Sequence, residues 1–439
     1  MDQSGEHHGA TIDEPAATQL ETLDLTSPEA HEHAFQRYAE LRKCPVMQAL
    51  ATGVGGDAEV DGLPPRPIWL ATTYEANNRG MLNPAVGVDP TAIMTPEQIA
   101  EFPQPPEELK PLRRNLLAID PPEHTRLRRL VQPAFTASSI EKLRPRIQAI
   151  TDELLDRMEA QAAAAGESAP NRHVELISQF AYPLPVTVIC EMLGIPEADR
   201  EQTQRWSENL LTPLREEEAE EISRGIGEFM TYLRGIFAQR RAEPQDDLIS
   251  ALLQAEIEGD RLTEDEVLSM VFILFVAGHI TTVNLIASGI FALLTNPQQL
   301  ADLRANPDLI ENAVEEILRY YGPAETSTLR FATQDFELEG QAIERGAPLL
   351  FLLASANHDP ERFVDPESFN ISRENANRHI AFGKGIHACL GAPLARLEGQ
   401  IAIGTIVQRY PDLKLAIPAE EITWQRSFLR SLTSLPLTL

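Results

Sequence analysis

The sequence predicts a mainly α-helical protein with a small β part, built around one long buried helix. Apolar residues recur at three- and four-residue spacing over much of the chain. One stretch, Val267 to Leu294, stays mostly apolar for longer than the ~20 residues that span a bilayer. Strand-like runs are short and confined to two places.

The helical pattern covers Ser138–Ala165, Leu184–Leu193, Arg200–Leu211, Glu216–Arg241 and Pro307–Tyr321. The strand-like runs are Pro67–Thr73 near the N-terminus, and Ser327–Ala332, Phe336–Leu338 and Pro348–Ala354, with Gly340 and Gly346 as turn residues. His358 to His379 is rich in Asp, Pro, Asn, Arg and Phe and reads as an ordered irregular connection. The long apolar stretch carries His279, Thr281, Thr282, Asn284 and Ser288. It follows Thr263-Glu264-Asp265-Glu266, a helix cap with acidic first-turn residues, and no Lys or Arg flanks it closely. It therefore reads as the central helix of a soluble domain, roughly 48 Å long if it runs to Thr295. No repeat or linker divides the chain, so residues 27–439 are expected to form one domain behind a flexible acidic tail, residues 1–26. His7 and His8 belong to that tail, where disorder outweighs metal binding as an explanation.

The net charge of −29 argues against nucleic acid and against an anionic membrane surface as partners. Three widely spaced cysteines, Cys44, Cys190 and Cys389, form no disulfide framework and no zinc spacing. The N-terminus has neither the basic nor the apolar region of a signal peptide, so a cytoplasmic protein is expected.

The most specific segment is Phe382-Gly383-Lys384-Gly385-Ile386-His387-Ala388-Cys389-Leu390-Gly391, followed by a helical pattern. Glycines let backbone approach a flat, bulky ligand, and the N–H groups of a helix start stabilise a thiolate. A buried free cysteine beside a turn is the plain alternative. In Asp120–Arg129, the chain turns helical after Pro122 and places His124 and Arg128 four residues apart on one face, two donors suited to a carboxylate. Arg126 and Arg129 read as a basic surface. In the long helix, Ala277, Gly278 and Thr281 suggest a local opening for a small ligand, although a buried Thr more often bonds back to its own helix. Glu316 and Arg319 form an E-x-x-R, which alone says little because Glu123, Glu141, Glu197, Glu221 and Glu258 each begin one too.

The cysteine loop resembles the haem-binding signature of cytochromes P-450, F-G-x-G-x-H-x-C-x-G. At average residue usage its six fixed positions match by chance about once in a million such chains. His379 and the run Gly391 to Glu398 also look like bacterial members. The resemblance extends from about Ser27 to Leu439, less closely over Ala85–Leu112, the position of a loop and helix that close over substrate.

The resemblance implies the cytochrome P-450 fold, its long helix crossing over haem b. It makes Cys389 the axial iron ligand, with Phe382 near the sulfur and Gly383 in the loop. It assigns His124, Arg128, Arg330 and His387 to the haem propionates, and Glu316–Arg319 to a structural brace. Ala277, Gly278 and Thr281 become an oxygen-binding groove. Substrate contacts fall on Ile273, Val276 and Ala277, on Thr326 to Thr328, and on Phe428 in the Ser427–Leu429 turn. The position before Thr281 normally carries an acid; here it is Ile280, which removes the usual proton relay.

The implied function is monooxygenation of a small organic substrate, an intermediate of secondary metabolism, by a monomer using O2. Electrons would come from a ferredoxin and its NAD(P)H-dependent reductase, since no dinucleotide-binding motif is present. The donor is expected to dock on a local basic patch of Arg113, Arg114, Arg126 and Arg129, with Arg378 and Lys384. Oxidative coupling or desaturation is the alternative that Ile280 suggests, and a non-catalytic haem-binding protein is a third.

Overall fold

A computed structural model of the protein describes residues 20–52, 67–101, 107–164, 172–209, 219–257 and 259–439. His7, His8, Ala165, Leu210, Leu211 and Glu216 to Glu218, on which some of the expected features fall, lie outside them.

Helices form most of the structure. Four of them frame the site: α1 (Glu123–Val131), α2 (Glu264–Thr295), α3 (Ile310–Tyr321) and α4 (Ala392–Arg409). The start of α2 is set by a capping box. Thr263 Oγ1 accepts from the Glu266 N–H, and the Glu266 carboxylate accepts from the Thr263 N–H. Glu264, Asp265 and Glu266 then oppose the positive end of the helix dipole. By length and composition α2 could cross a membrane, but 61% of its apolar window is buried inside this fold. It packs against the Pro183–Leu193 helix, α3 and α4, which explains why its apolar character runs all the way round.

The sheet has six strands in the order Thr22–Asp24, Val46–Thr52, Ile68–Ala71, Pro348–Phe351, Arg330–Ala332, Val86–Gly87. Ile68–Ala71 and Pro348–Phe351 pair in parallel, Leu349 opposite Trp69, while Arg330 pairs antiparallel with Leu349. Arg330 is thereby held on a strand rather than in a loop.

Several expectations are corrected. Thr22–Asp24 pairs with Leu50 to Thr52, and Leu23 and Leu25 are buried, so the ordered domain begins before Ser27. The Ser138–Ala165 pattern is two helices, Ala137–Glu141 and Arg144–Ala164. Pro145 is the physical reason: it lacks an N–H and suits a helix's first turn. The Pro307–Tyr321 pattern opens with a separate 3₁₀ turn, Pro307–Leu309. Pro348–Ala354 is a strand only to Phe351, after which Leu353–Asn357 forms one buried helical turn, pinned where Ser355 Oγ donates to Thr72 O at 2.8 Å.

The irregular connection from His358 to His379 is ordered by α3. Glu316 and Arg319 are fully buried and joined by two bonds of 2.7 and 2.8 Å. Arg319 also donates to Asn357 O and Pro366 O at 3.0 and 2.8 Å. Arg373 returns from the connection to the same carboxylate at 3.1 Å. Of the E-x-x-R pairs, Glu141–Arg144 and Glu221–Arg224 are exposed, whereas Glu316–Arg319 braces the core.

Candidate active site

The cysteine loop closes on itself through Cys389 N–H to Phe382 O, 2.9 Å. Gly383 and Gly385 take left-handed φ values of 65° and 75°. At Gly385 a Cβ would also lie 2.8 Å from Met81 O, so a side chain is excluded there twice over. Cys389 is accessible as a residue, although the protein packs closely around its thiol. Burial by the surrounding protein pushes its thiol up. The Gly391 and Ala392 N–H groups at the start of α4, with the charges of Arg128 and Arg396, oppose that rise and favour the thiolate.

On α1, His124 is buried and its ring lies 4.3 Å from the His387 ring, centroid to centroid. Neither ring nitrogen of either histidine has a hydrogen-bond partner, although all four atoms are buried. His387 Nε2 stands 3.8 Å from Asp120 Oδ1, beyond hydrogen-bond reach. Arg330 Nε is likewise buried without a partner. Burial lowers His124 to about 4, helped by the nearby His387 and Arg128, and burial lowers Arg330 to about 10. Unsatisfied buried donors are rare in native proteins and mark a missing partner. An anionic group beside these residues would satisfy them, so the two carboxylates of haem b fit the donor set.

Arg128 also makes a bond that the sequence did not announce. Its Nη2 donates to Ala388 O at 2.9 Å, tying α1 to the cysteine loop. A guanidinium has five N–H groups, so this bond leaves donors for a carboxylate. Arg126 is not a free surface charge: it pairs with Asp260 at 3.1 Å and with Glu266, because the acidic start of α2 lies opposite it.

The expected opening in α2 is absent as a break, since the helix is continuous from Glu264 to Thr295. Thr281 Oγ1 donates to Ala277 O at 3.1 Å, the ordinary back-bond of a helical threonine. A Cβ at Gly278 would make only a 3.5 Å contact with Ile189. Ala277 is nevertheless exposed and Gly278, Ile280 and Thr281 half-exposed, whereas Thr282 to Leu293 are buried. One face of mid-α2 therefore fronts open space. Ile273 and Val276 sit half-buried one turn earlier. Ala324 bridges Leu429, and Arg430 N–H donates to Pro323 O at 2.8 Å, so the start of the segment leading to Thr326 and Thr328 runs beside the turn bearing the exposed Phe428. A separate groove of about 630 Å³, lined by Lys110, Arg114, Met230 and Glu266 among others, lies at the start of α2 and includes none of these residues.

Sequence reasoning missed Glu398. It is buried on α4, and neither carboxyl oxygen has a hydrogen-bond partner. The Thr282 hydroxyl faces it outside hydrogen-bonding geometry. Burial pushes its pKa up to about 8, a rise the Thr282 hydroxyl only partly opposes. Glu398 lies four residues after Leu394 and three before Ile401, both buried, so a carboxylate on the apolar stripe of α4 was the available signal.

The long buried helix α2 packs on α4, which follows the cysteine loop, and His387 of that loop joins His124 and Arg330 in a set of buried donors without partners, an arrangement suited to a class that binds an anionic group beside a cysteine loop. The cytochrome P450 family model matches residues 97–416. Cytochrome P450 107B1 of Saccharopolyspora erythraea is 43% identical over 403 residues, covering 91% of this chain and 93% of that one. The 6-deoxyerythronolide B hydroxylase of the same organism is 38% identical over 422 residues, 95% and 98% of the two chains. The solved structure of the bacillaene polyketide synthase cytochrome P450 PksS of Bacillus subtilis 168 superposes with a TM-score of 0.82 at 37% identity, covering 94% of this chain and 99% of that one.

The chain belongs to the cytochrome P450 family. It is accordingly a monooxygenase that uses haem b with a cysteine thiolate as axial ligand.

Proposed function

We propose that Cys389 is the axial ligand and that His124, Arg128, Arg330 and His387 hold the propionates, with Phe382 and Gly383 shaping the loop behind the sulfur. The unpartnered buried nitrogens of His124, His387 and Arg330 carry this reading. Bound there, the haem supplies the oxygen-activating chemistry, which thiolate ligation favours. The half-exposed face of α2 at Ala277, Gly278 and Thr281 borders the reacting space, and Ile273, Val276, Thr326, Thr328 and Phe428 line the approach.

The substrate is an organic intermediate of secondary metabolism. One relative is named for hydroxylating 6-deoxyerythronolide B and another for a polyketide synthase, which supports this class. A cytoplasmic ferredoxin and its NAD(P)H-dependent reductase supply the electrons. The docking patch is smaller than the sequence suggests, because Arg114 is paired with Glu123, and Arg126 with Asp260 and Glu266. The test is a screen of such intermediates for the haem spin-state change, followed by substrate-dependent NAD(P)H consumption and product analysis with labelled O2. Consumption without labelled oxygen in the product rejects monooxygenation of that compound.

Ile280 leaves no carboxyl at the position before Thr281, and Glu398 supplies one near Thr282 on the same helix. A carboxyl that keeps its proton at neutral pH can hold one beside Thr282, and Thr281 can order water on the open face. The raised pKa has a measurable consequence. Between 4.5, its ordinary value, and about 8 the unfolded chain loses this proton while the folded chain keeps it. Stability therefore falls as pH rises through that window, by about 1.4 kcal/mol per pH unit at most. Glu398→Gln removes this loss, so its stability relative to the parent should increase from pH 5 to pH 8. Urea unfolding at the two pH values checks it, and a constant difference refutes the protonated carboxyl.

A further inference from the structure

We infer that Arg396, clamped by Glu315 and laid on the Phe382 ring, is a positioning residue that sets the charge felt by the Cys389 thiolate and hence the reduction potential of the iron. The inference rests on Cys389 being the axial ligand.

Arg396 projects from the second turn of α4 and Glu315 from α3. Nε and Nη2 of Arg396 meet the two Glu315 oxygens at 2.5 and 3.0 Å, a bidentate fork. His379 completes the cluster. Its Nδ1 accepts the Ala381 N–H at 3.1 Å, which leaves Nε2 as the donor to Glu315 Oε2, also 3.1 Å away. The guanidinium carbon stands 4.6 Å from the Phe382 ring centroid, and the His379 ring lies 5.8 Å from that ring. The Phe382 carbonyl in turn accepts the Cys389 N–H. One carboxylate thus fixes the arginine and the histidine that flank Phe382, and Phe382 closes the loop on the sulfur.

The charges in this cluster are retained inside the protein. Burial pushes the Glu315 carboxyl up, but the bonds from His379 and Arg396 outweigh it and hold it at about 2. The Arg396 side chain is one-third exposed and Glu315 only 13%, so the acid is drawn in to meet the arginine rather than left at the surface. A surface ion pair has no need of this arrangement. Adding an electron at the iron adds negative charge: a nearby guanidinium favours it and a nearby carboxylate opposes it.

The two halves of the pair therefore predict shifts of opposite sign. Arg396→Gln should lower the potential, and Glu315→Gln, which unmasks the guanidinium, should raise it. At a fixed potential near the midpoint each should change the ratio of reduced to oxidised iron by about tenfold, or about 59 mV for one electron. Arg396→Lys keeps the charge and loses the fork, and should restore most of the parent potential. The measurement is a dye-mediated redox titration of the holoenzyme without any electron donor, alongside the reduced carbon monoxide spectrum. A retained thiolate band shows that ligation is intact, which separates failure of this inference from failure of the Cys389 assignment. Potentials that stay at the parent value, or that move the same way in Arg396→Gln and Glu315→Gln, overturn it. A common direction is what loosening of the loop would produce. If Arg396→Gln does not retain haem, Glu315→Gln against Arg396→Lys decides the sign alone.

Discussion

Cys389→Ala is expected to abolish the red-shifted Soret band of the reduced carbon monoxide complex entirely. That band requires a thiolate on the iron, and the loop offers no second sulfur. The other cysteines cannot substitute. Cys190 is sealed in the core, where burial pushes its thiol up to about 12. Cys44 follows the Ala34–Leu41 helix and is held beside Thr72, whose hydroxyl donates to Cys44 O at 2.7 Å. Thiolate ligation and haem retention are separate matters, because the proposed propionate donors lie on α1, on the Arg330 strand and at His387. A variant that still takes up haem yet shows only a band near the position of histidine-ligated proteins meets the expectation. Persistence of the thiolate band in Cys389→Ala would falsify the ligand assignment.

Glu316→Gln is expected to be the most destabilising conservative substitution in the helical core, at about 3–5 kcal/mol. The Glu316 carboxylate is the shared anion of two buried guanidiniums, Arg319 and Arg373, and it also accepts the Asn370 N–H at 2.9 Å. Glutamine keeps the shape but removes the charge and replaces one acceptor oxygen with a donor NH2, which leaves two buried cations with no counter-charge. Most surface pairs here would cost far less; the exposed Glu141–Arg144 pair is a built-in control. Both guanidiniums also hold the 358–379 connection, Arg319 through Asn357 O and Pro366 O and Arg373 through Val364 O, so the cysteine loop should loosen with it. Urea midpoints and haem release on mild heating measure the two effects. A Glu316→Gln enzyme within about 1 kcal/mol of the parent would remove the brace from the account.

Much of this protein is written locally. The long helix was legible because its signals are one-dimensional: a capping box at Thr263 and apolar residues all round. The cysteine loop was legible because positive φ at Gly383 and Gly385 demands glycine at those positions. The paired donors on α1 followed from the four-residue spacing of His124 and Arg128.

Tertiary structure decided the rest, because those properties depend on which distant residue meets which. Nothing near Arg126 announces that Asp260 and Glu266 neutralise it, and nothing near Arg128 announces its bond to Ala388. The edge strand Thr22–Asp24 exists only because Leu50 to Thr52 lies beside it; strand pairing is a non-local decision. Glu316 is one of several identical sequence pairs, and burial with Arg373 alone makes it a brace. Glu398 is the clearest case. Its raised pKa comes from desolvation by every element packed around α4, a sum over the whole core that no window of sequence contains.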